Sequence, residues 1–286
     1  RMNQLTCNAR YMDEVERVLY NNVLTGVSLS GDKYTYQNPL NTDKPDRWEW
    51  HVCPCCPPMF LKIMAAMPGY IYAYQGDNVY VNLFIGSEVR VPVGKSNSVR
   101  LKQLTSYPWH GAVSIQVNPD KASTFSMKVR IPGWAQGTEN PYDLYQSNLK
   151  APVKLKVNQE DVLLRIVDGY AEINREWKKG DHIELELPMQ PRLITANKAV
   201  ENLRGQVALA SGPIIYCFED ADNPELQTFK LQAQTPLELS HDSNLLNGVN
   251  IIKCQGDIPA KAIPYYAVAN RDCLLYTSPS PRDRQK

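Results

Sequence analysis

The fold is decided where the chain reads MPGYIYAYQGDNVYVNLF, from Met67 to Phe84. The apolar residues at 79, 81 and 83 alternate with Tyr80 and Asn82, which is the period of a half-buried β-strand. Before this stretch the apolar residues recur at helical spacing instead, and Pro68-Gly69 is a pair that ends helices. The stretch therefore marks a change from a helical region to a β-region.

The chain before this stretch predicts two helices. Residues 8–24 carry apolar side chains on one helical face, with charged residues elsewhere. Residues 57–67 begin with paired prolines, which suit a first helical turn because an N–H group there has no partner within the helix. Between them, Tyr34-Thr-Tyr36 fits a short strand. Two helices cannot bury a core of their own, so we expect this part to be the end of a larger helical domain.

The chain after this stretch predicts many short strands. Runs of alternating apolar residues recur along it, with turn residues between the runs. The runs lie at 89–93, 113–117, 125–131, 153–157 and 183–187. Such a series is typical of antiparallel sheets packed as a sandwich. A further strand pair around Gly212-Pro213 indicates a second β-region, so the whole pattern predicts an α+β chain of several domains.

Composition narrows the possible functions. The 286 residues are 43% hydrophobic and carry a formal net charge of +1, with acidic and basic residues mixed along the chain. Because no basic stretch stands out, nucleic acid is not an expected partner. No apolar run approaches the length of a membrane-spanning helix, so no membrane partner is expected. The chain opens mid-pattern on Arg1, which we interpret as a truncated N-terminus, and its cellular compartment is left open.

Three of the seven cysteines fall within four residues, in the segment His51-Val-Cys-Pro-Cys-Cys-Pro-Pro58. An odd count without regular spacing argues against a disulfide framework. Thiolate and imidazole are the ligands that zinc prefers, and Cys55 and Cys56 come at the predicted start of a helix, where a thiolate is favoured. A structural zinc site, a set of reduced core thiols and a reactive, catalytic thiolate all fit this spacing.

A series of short motifs runs along the chain on both sides of the cysteine segment, beginning with the predicted first helix. The motifs are Arg10–Asn21, Tyr36–Leu40, Cys55–Pro58, Met67–Tyr72, Tyr80–Phe84, Thr105–Trp109, Arg130–Trp134, Glu176–Asp181, Gly212–Tyr216 and Ile263–Tyr266. In content and order this series resembles the β-L-arabinofuranosidase family of glycoside hydrolases, family 127 and its relatives, formerly a domain of unknown function. The resemblance extends to about Asp272 and identifies the chain as the C-terminal part of such a protein.

The resemblance implies a fold, an activity and a cofactor. Members of the family have an (α/α)6 barrel followed by antiparallel β-sandwich domains. They are retaining enzymes that release L-arabinofuranose from β-linked arabinosides, so a small-molecule arabinoside or a plant glycan is the implied substrate. Most glycosidases use paired carboxylates, whereas these enzymes use a zinc-bound cysteine thiolate as the nucleophile and a glutamate as acid and base. Zn²⁺ is therefore the implied cofactor.

The resemblance also assigns residues. It makes Cys55 the nucleophile and a zinc ligand, and it makes Cys56 a second zinc ligand. Glu16 and Tyr36 match positions that contact the site or the sugar, and Thr105 is a third candidate for that role. Without the resemblance, Glu16 would be interpreted as a solvated helix residue and Tyr36 as a strand aromatic, because most such residues are structural.

The match is incomplete, and this limits what the chain can do. The family's other zinc ligands and its acid/base glutamate lie upstream of the position of Arg1, so we expect this fragment to be inactive alone. Met59 stands where many relatives have asparagine, which leaves the sugar open, and His51 and Cys53 receive no role. An alternative from another class is a non-catalytic carbohydrate-binding or scaffolding β-protein that holds a structural zinc.

The pattern also predicts domain boundaries. Residues 1–74 are expected to be the end of the barrel, 75–192 a β-sandwich and 193–272 a second β-sandwich region. The family pattern stops after Asp272, and the segment 273–286 is polar and rich in proline. We expect this last segment to be a disordered, non-native tail.

Overall fold

A computed structural model describes residues 1–38, 40–42, 46–53, 55–149, 151–225, 229–256, 258–271 and 275–276 of the chain. The chain divides into two compact units. Unit one comprises Arg1–Glu16, Ala65–Asn140 and Lys150–Met189. Unit two comprises Arg17–Met64, Pro141–Leu149 and Gln190–Lys286.

The described elements include short helices and many strands. The α-helices are α1 (Met2–Thr6), α2 (Arg10–Val18), α3 (Cys56–Ala66) and α4 (Pro68–Ile71). The strands are β1 (Asn41–Thr42), β2 (Tyr72–Gln75), β3 (Asn78–Val81), β4 (Ser87–Val93), β5 (Asn97–Thr105), β6 (Ala112–Pro119), β7 (Ser123–Arg130), β8 (Tyr145–Ser147), β9 (Lys154–Val157), β10 (Glu160–Asp161), β11 (Ile166–Val167), β12 (Tyr170–Trp177), β13 (Asp181–Glu186), β14 (Arg192–Ala196), β15 (Val207–Ser211), β16 (Ile214–Glu219), β17 (Leu237–Asp242), β18 (Val249–Gln255), β19 (Pro259–Pro264) and β20 (Leu275–Tyr276). The predicted α+β class is confirmed.

Both predicted helices are present. The chain continues α2 through a π-helical turn, Leu19–Val23, and a 3-10 turn, Leu24–Gly26, so the segment predicted over 8–24 is helical with a change of hydrogen-bond pattern. The second, α3, begins one residue before the paired prolines. No helix in the described part of the chain combines the length and the apolar character that crossing a membrane requires.

A six-stranded sheet in unit one has the order β10-β9-β13-β6-β5-β4, with antiparallel neighbours throughout. The period of two decides which side of this sheet is buried. In β5, Val99, Leu101 and Gln103 are buried, whereas Arg100 and Lys102 between them are exposed. The alternation in the sequence therefore marks the side of the strand that faces the core.

A five-stranded sheet in unit one corrects the expectation of purely antiparallel sheets. Its order is β11-β12-β7-β3-β2. In it β3 and β7 run parallel, with Asn78 opposite Ser126 and Val81 opposite Val129. Between these two strands the chain leaves the sheet and forms β4, β5 and β6 in the other one. A parallel pair needs a long crossover of this kind, because a tight hairpin can join only antiparallel strands.

The start of α2 lies against the turn between β11 and β12. The Ala9 N–H donates to the Asp168 carbonyl oxygen at 2.8 Å. Gly169 has a φ of +80°, and a Cβ there would lie 2.6 Å from the Ala9 Cβ, so this position accepts only glycine without rearrangement. The close approach fixes the first turn of the helix that carries Asp13 and Glu16.

Among the described residues of unit two, nine strands form one sheet, most of them in the path β17-β18-β19-β16-β15-β14-β8, with β20 pairing with β16 and β1. The strand pair predicted around Gly212-Pro213 is confirmed as β15 and β16. Of the predicted disordered tail, residues 273–274 and 277–286 lie outside the described residues. For Leu275 and Tyr276, which form β20, the prediction of disorder is wrong. Backbone pairing with β16 does not require the alternating side chains on which the prediction depended.

Candidate active site

Short-range hydrogen bonds of Cys53 and Cys55 precede α3. The Cys53 N–H donates to His51 Nδ1 at 3.1 Å, and the Cys55 N–H donates to the Cys53 carbonyl oxygen at 2.9 Å. Because α3 begins at Cys56, both Cys55 and Cys56 lie where the first N–H groups of a helix have no partner within it. The positive end of the helix dipole favours a thiolate at this place.

Cys55 and Cys56 bring two sulfurs together. Their Sγ atoms are 3.7 Å apart, and both residues are free thiols. Zinc–thiolate bonds of about 2.3 Å in tetrahedral geometry place two sulfurs about 3.8 Å apart, so the pair fits two positions of one zinc shell. Over the residues that the structure describes, no group of three or more His, Cys, Asp and Glu side chains is placed to hold a metal. The pair therefore offers half of a tetrahedral shell.

The two thiols differ in acidity. Hydrogen bonds from Cys56, Cys53 and Tyr36, of which that from Cys56 has the largest effect, hold the pKa of Cys55 below its ordinary value although burial opposes them. Burial, together with the hydrogen bond to Cys55, raises the pKa of Cys56. Cys55 is therefore the thiol that ionises first, and the thiolate is the nucleophilic form of cysteine.

Three rings in unit two, Tyr36, Trp48 and His51, form an aromatic triad. The ring centroids are 5.4 Å apart for Tyr36 and Trp48, 4.6 Å for Tyr36 and His51, and 4.8 Å for Trp48 and His51, and the planes are nearly parallel. The negative charge of the nearby Cys55 thiolate raises the pKa of Tyr36 above its ordinary value. The triad thus links the predicted sugar contact to the predicted nucleophile, and it includes His51, to which the sequence assigned no role.

Arg47 anchors the segment that carries Trp48. Its buried guanidinium donates to the Thr25 carbonyl oxygen at 2.7 Å and to the Val268 carbonyl oxygen at 2.9 Å. Burial lowers the pKa of Arg47 to about 10. Beside it, Tyr34 and Trp48 pair through their backbone groups, with N–O distances of 2.9 and 2.8 Å. These contacts lie within unit two and hold the aromatic triad in place.

Glu16 lies in unit one at the centre of a buried polar cluster. Its Oε1 accepts a hydrogen bond from the Tyr107 hydroxyl at 2.8 Å, and its Oε2 accepts one from Trp134 Nε1 at 3.2 Å. Arg130 donates to both Glu16 oxygens and, at 2.7 Å, to Asp13. Because Glu16 is only 1% exposed, its interpretation as a solvated helix residue is wrong. The arginine and the aromatic donors were missed as site residues in the sequence.

Thr105 also lies in unit one and is linked to Glu16 through one residue. Its Oγ1 donates to the Ala112 carbonyl oxygen at 2.7 Å and accepts from the Tyr107 N–H at 3.0 Å. The hydroxyl of the same tyrosine is the donor to Glu16. Thr105 lines an open cleft of about 720 Å³ with neighbours that include Glu88, Lys102 and His110. Of the five predicted site residues, Cys55, Cys56 and Tyr36 come together in unit two.

Models of three domains of one glycoside hydrolase family match the chain in succession. Residues 1–69 match the β-L-arabinofuranosidase GH127 catalytic domain, and residues 78–189 match the GH127 middle domain. Residues 191–274 match the glycoside hydrolase family 127 C-terminal domain. The cysteine segment falls in the region that matches the catalytic domain.

Similar proteins with known names or structures are about twice as long as this chain. A non-reducing end β-L-arabinofuranosidase of Bifidobacterium longum subsp. longum is 29% identical over 95% of this chain and 45% of its own length. The structure of a GH127 β-arabinofuranosidase matches with a TM-score of 0.92 and 36% identity, over 99% of this chain and 47% of that one. A GH127 β-L-arabinofuranosidase from Geobacillus stearothermophilus T6 gives a TM-score of 0.87 and 33% identity, over 97% and 47%. The chain therefore spans about half the length of the relatives that it matches.

Proposed function

This chain belongs to glycoside hydrolase family 127, and from that premise we propose that it is part of a retaining enzyme that releases L-arabinofuranose from β-L-arabinofuranosides. The proposal concerns the whole protein, because the matching relatives are about twice as long as this chain. A glycan or a small arabinoside would be the substrate. The observation that carries the proposal is the acidic Cys55 thiol, paired with Cys56 at the start of α3.

In the proposed reaction Cys55 is the nucleophile. Its sulfur attacks the anomeric carbon, the bond from that carbon to the leaving oxygen breaks, and the sugar is carried on sulfur until water releases it. In the metal-free protein the pKa of Cys55 already lies below its ordinary value, chiefly through Cys56, and this supports the role, because the thiolate is the form that attacks. Proton transfer to the leaving oxygen is proposed to come from a glutamate of the whole protein that acts as acid and base.

Cys55 and Cys56 are also the residues that would hold zinc. Their sulfur separation of 3.7 Å supports this assignment. A bound zinc ion would keep both sulfurs as thiolates at neutral pH. Remaining ligands would come from residues that do not lie beside this pair in the described part of the chain.

Tyr36, Glu16 and Thr105 are proposed to contact the sugar. Tyr36 has the most direct support, because it stacks on His51 of the cysteine segment and the charge of Cys55 acts on its pKa. The Glu16 carboxylate already accepts hydrogen bonds from Tyr107, Trp134 and Arg130. A sugar hydroxyl would therefore share or displace one of these donors, since a carboxylate has about four acceptor positions.

The exposed helix α3 supports the proposed (α/α)6 barrel. Its sequence, CPPMFLKIMAA, is apolar on nearly all sides, yet none of its residues is buried. Met59 is 58% and Leu61 is 65% exposed. A helix that is apolar all round is normally covered by other elements. We propose that further helices of the whole protein cover it, and that residues 75–192 and 193–272 form the two β-sandwich regions.

Zinc content and hydrolysis of an aryl β-L-arabinofuranoside by the full-length protein test this function. We expect zinc to be present in the wild-type protein and activity to be lost in Cys55→Ser. Cys7→Ser is the matched control, since Cys7 is a free thiol in unit one and should leave activity unchanged. Zinc without activity on any pentofuranoside would instead favour a carbohydrate-binding protein with a structural zinc site.

The 286-residue chain itself is proposed to be inactive. The same assay on this chain and on the full-length protein tests this directly. Turnover by the short chain, lost in Cys55→Ser, would show that the acid/base group and the remaining ligands lie within it. Inactivity of a folded full-length protein would sink the proposed reaction.

A further inference from the structure

The ring of His51 is held by two other rings. Its centroid lies 4.6 Å from that of Tyr36 and 4.8 Å from that of Trp48, and the planes meet at 25° and 20°. Trp48 is itself fixed, because its backbone N–H donates to the Tyr34 carbonyl oxygen at 2.8 Å and its carbonyl oxygen accepts the Tyr34 N–H at 2.9 Å. Stacking of this kind stabilises a particular placement of the rings. His51 therefore presents its nitrogen atoms from a restrained position.

His51 Nδ1 acts as a hydrogen-bond acceptor. The Cys53 N–H donates to it, with a distance of 3.1 Å between the two nitrogen atoms. An amide N–H can only donate, so Nδ1 carries no proton and the proton of the ring is on Nε2. The Cys53 carbonyl oxygen, 3.4 Å from Nδ1, is also an acceptor and makes its hydrogen bond elsewhere. A side chain that accepts the N–H two residues along the chain is the arrangement of an Asx turn, which a histidine makes here.

Cys53 connects His51 to Cys55. Its carbonyl oxygen accepts the Cys55 N–H at 2.9 Å, so two short hydrogen bonds run from the His51 ring to the backbone of the proposed nucleophile. The helix α3 begins at the next residue, Cys56. Because Cys53 and Cys55 are both exposed, packing contributes little to their placement. Hydrogen bonds to a fixed ring are therefore the contacts that restrain this part of the chain.

We propose that His51 is a positioning residue for the Cys55 nucleophile, and that it acts by accepting the Cys53 N–H at Nδ1. The stacked ring fixes the acceptor, the acceptor fixes the Cys53 peptide group, and this group fixes the Cys55 backbone. A reacting group displaced by about 1 Å can lose about 100-fold in rate, so a restraint on the backbone of the nucleophile bears directly on the reaction. The inference rests on the proposed function, in which Cys55 attacks the sugar.

Two variants of the full-length protein separate the acceptor of His51 from its ring. His51→Phe keeps an aromatic ring for the stack but has no acceptor. His51→Asn loses the ring, but its side-chain oxygen is as many bonds from the backbone as Nδ1 and can accept the same N–H. We expect kcat/KM for an aryl β-L-arabinofuranoside to fall about 10- to 100-fold in His51→Phe and to stay near the wild-type value in His51→Asn. The inhibition constant of L-arabinose should be unchanged in His51→Phe, because the ring against Tyr36 is kept.

Hydrogen exchange gives a measurement that does not depend on activity. The Cys53 and Cys55 amides, followed by fragmentation mass spectrometry, should exchange about 2- to 10-fold faster in His51→Phe than in the wild type, as expected for the loss of one hydrogen bond. In His51→Asn their exchange should stay near that of the wild type. His182→Phe is the matched control, since this partly buried histidine lies in β13 of unit one, and it should change neither measurement.

Each other outcome decides the matter. Equal losses in His51→Phe and His51→Asn, or a loss in His51→Asn alone, would overturn the inference, because the ring and not its acceptor would then be what matters. Unchanged kcat/KM or unchanged exchange in His51→Phe would overturn it too, as would a weaker inhibition by L-arabinose that accounts for the whole loss. A wild-type protein that hydrolyses no arabinoside would sink the proposed reaction, and the exchange rates alone would then decide whether His51 restrains the Cys55 backbone.

Discussion

Arg130 supplies the positive charge that balances the carboxylates of Asp13 and Glu16 in unit one. Its guanidinium is fully buried and pairs with both Asp13 and Glu16. Burial opposes the charge, but the two carboxylates outweigh it and keep the pKa of Arg130 above its ordinary value. Arg130→Ala would leave the buried Glu16 carboxylate without its cation. We expect the free energy of unfolding, measured in urea, to fall by about 3–5 kcal/mol.

An exposed ion pair in the same unit supplies the control. Arg100 lies 3.6 Å from Glu88, and both side chains are more than half exposed. Arg100→Ala should change the free energy of unfolding by at most about 1 kcal/mol, because solvent screens such pairs. Equal losses in the two variants would contradict the role given to Arg130.

The adjacent cysteines should react with iodoacetamide in a fixed order. Only thiolates react, and the pKa of Cys55 lies below its ordinary value while that of Cys56 lies above it. As the pH of a metal-free sample rises, Cys55 should therefore be alkylated at a lower pH than Cys56. Mass spectrometry of peptides from quenched samples measures this order. Cys254, buried and with its pKa raised to about 12, should stay unmodified in the folded protein, and earlier labelling of Cys56 would contradict the assignment.

For single residues, the sequence predicted contacts between neighbours in the chain and missed contacts between residues that are far apart in it. Cys55 and Cys56 are adjacent, so their pairing at a helix start could be inferred from spacing alone. The partners of Arg130 lie up to 117 residues away in the sequence. Nothing in the pattern around this arginine, at the end of an alternating run, indicates which carboxylates it will pair with. Glu16 was interpreted from its helix, where its burial by Tyr107 and Trp134 could not be seen.

The contact between α2 and the β11–β12 turn depends on one glycine. Gly169 combines a φ of +80° with the absence of a side chain at the point where Ala9 approaches. The left-handed conformation alone costs an alanine about 1–2 kcal/mol. Gly169→Ala should lower the free energy of unfolding by clearly more than this. The excess reflects the movement that the 2.6 Å contact would force. Equilibrium unfolding in urea measures it.

Gly180 separates the two effects. It has a φ of +94°, but a Cβ there would meet nothing within 4 Å. Gly180→Ala should therefore show only the conformational loss of about 1–2 kcal/mol. If both variants lost the same amount, the approach of Ala9 would not be the reason for glycine at 169.

Elements were predictable where their period was clear. Helical spacing and paired prolines located α2 and α3, and alternation located β4, β6, β7, β9 and β13. Pairing was less predictable, because the partner of a strand depends on where the chain returns. Thus β3 lies beside β7, with three strands of another sheet between them in the chain. Whether two paired strands run parallel or antiparallel depends on the path of the chain between them. The alternation of side chains does not indicate that path.

For the whole molecule, α3 is the element whose environment should differ between this chain and its full-length parent. Leu61 is 65% exposed here. Leu61→Lys should change the free energy of unfolding of the 286-residue chain by within about 0.5 kcal/mol. In the full-length protein, where we propose that helices cover it, the loss should be about 1.5–3 kcal/mol, the value of a buried leucine.

Leu163 is the control for this comparison, since it is 92% exposed in unit one. Leu163→Lys should have little effect in either protein, measured by the same urea unfolding. A Leu61→Lys variant that is equally tolerated in both would argue against a helical layer over α3.

The anchoring of Arg47 has a consequence for biosynthesis. Its acceptors at Thr25 and Val268 stand on either side of it in the chain, and 221 residues separate it from the later one. At a translation rate of about 5–20 residues per second, the ribosome needs about 11–44 s to make that interval. During that time the segment that carries Trp48 has left the ribosome without its final tether, while the thiols beside it have already been made. Cys55, the proposed nucleophile, is thus synthesised well before the residue that completes the anchoring of its neighbourhood.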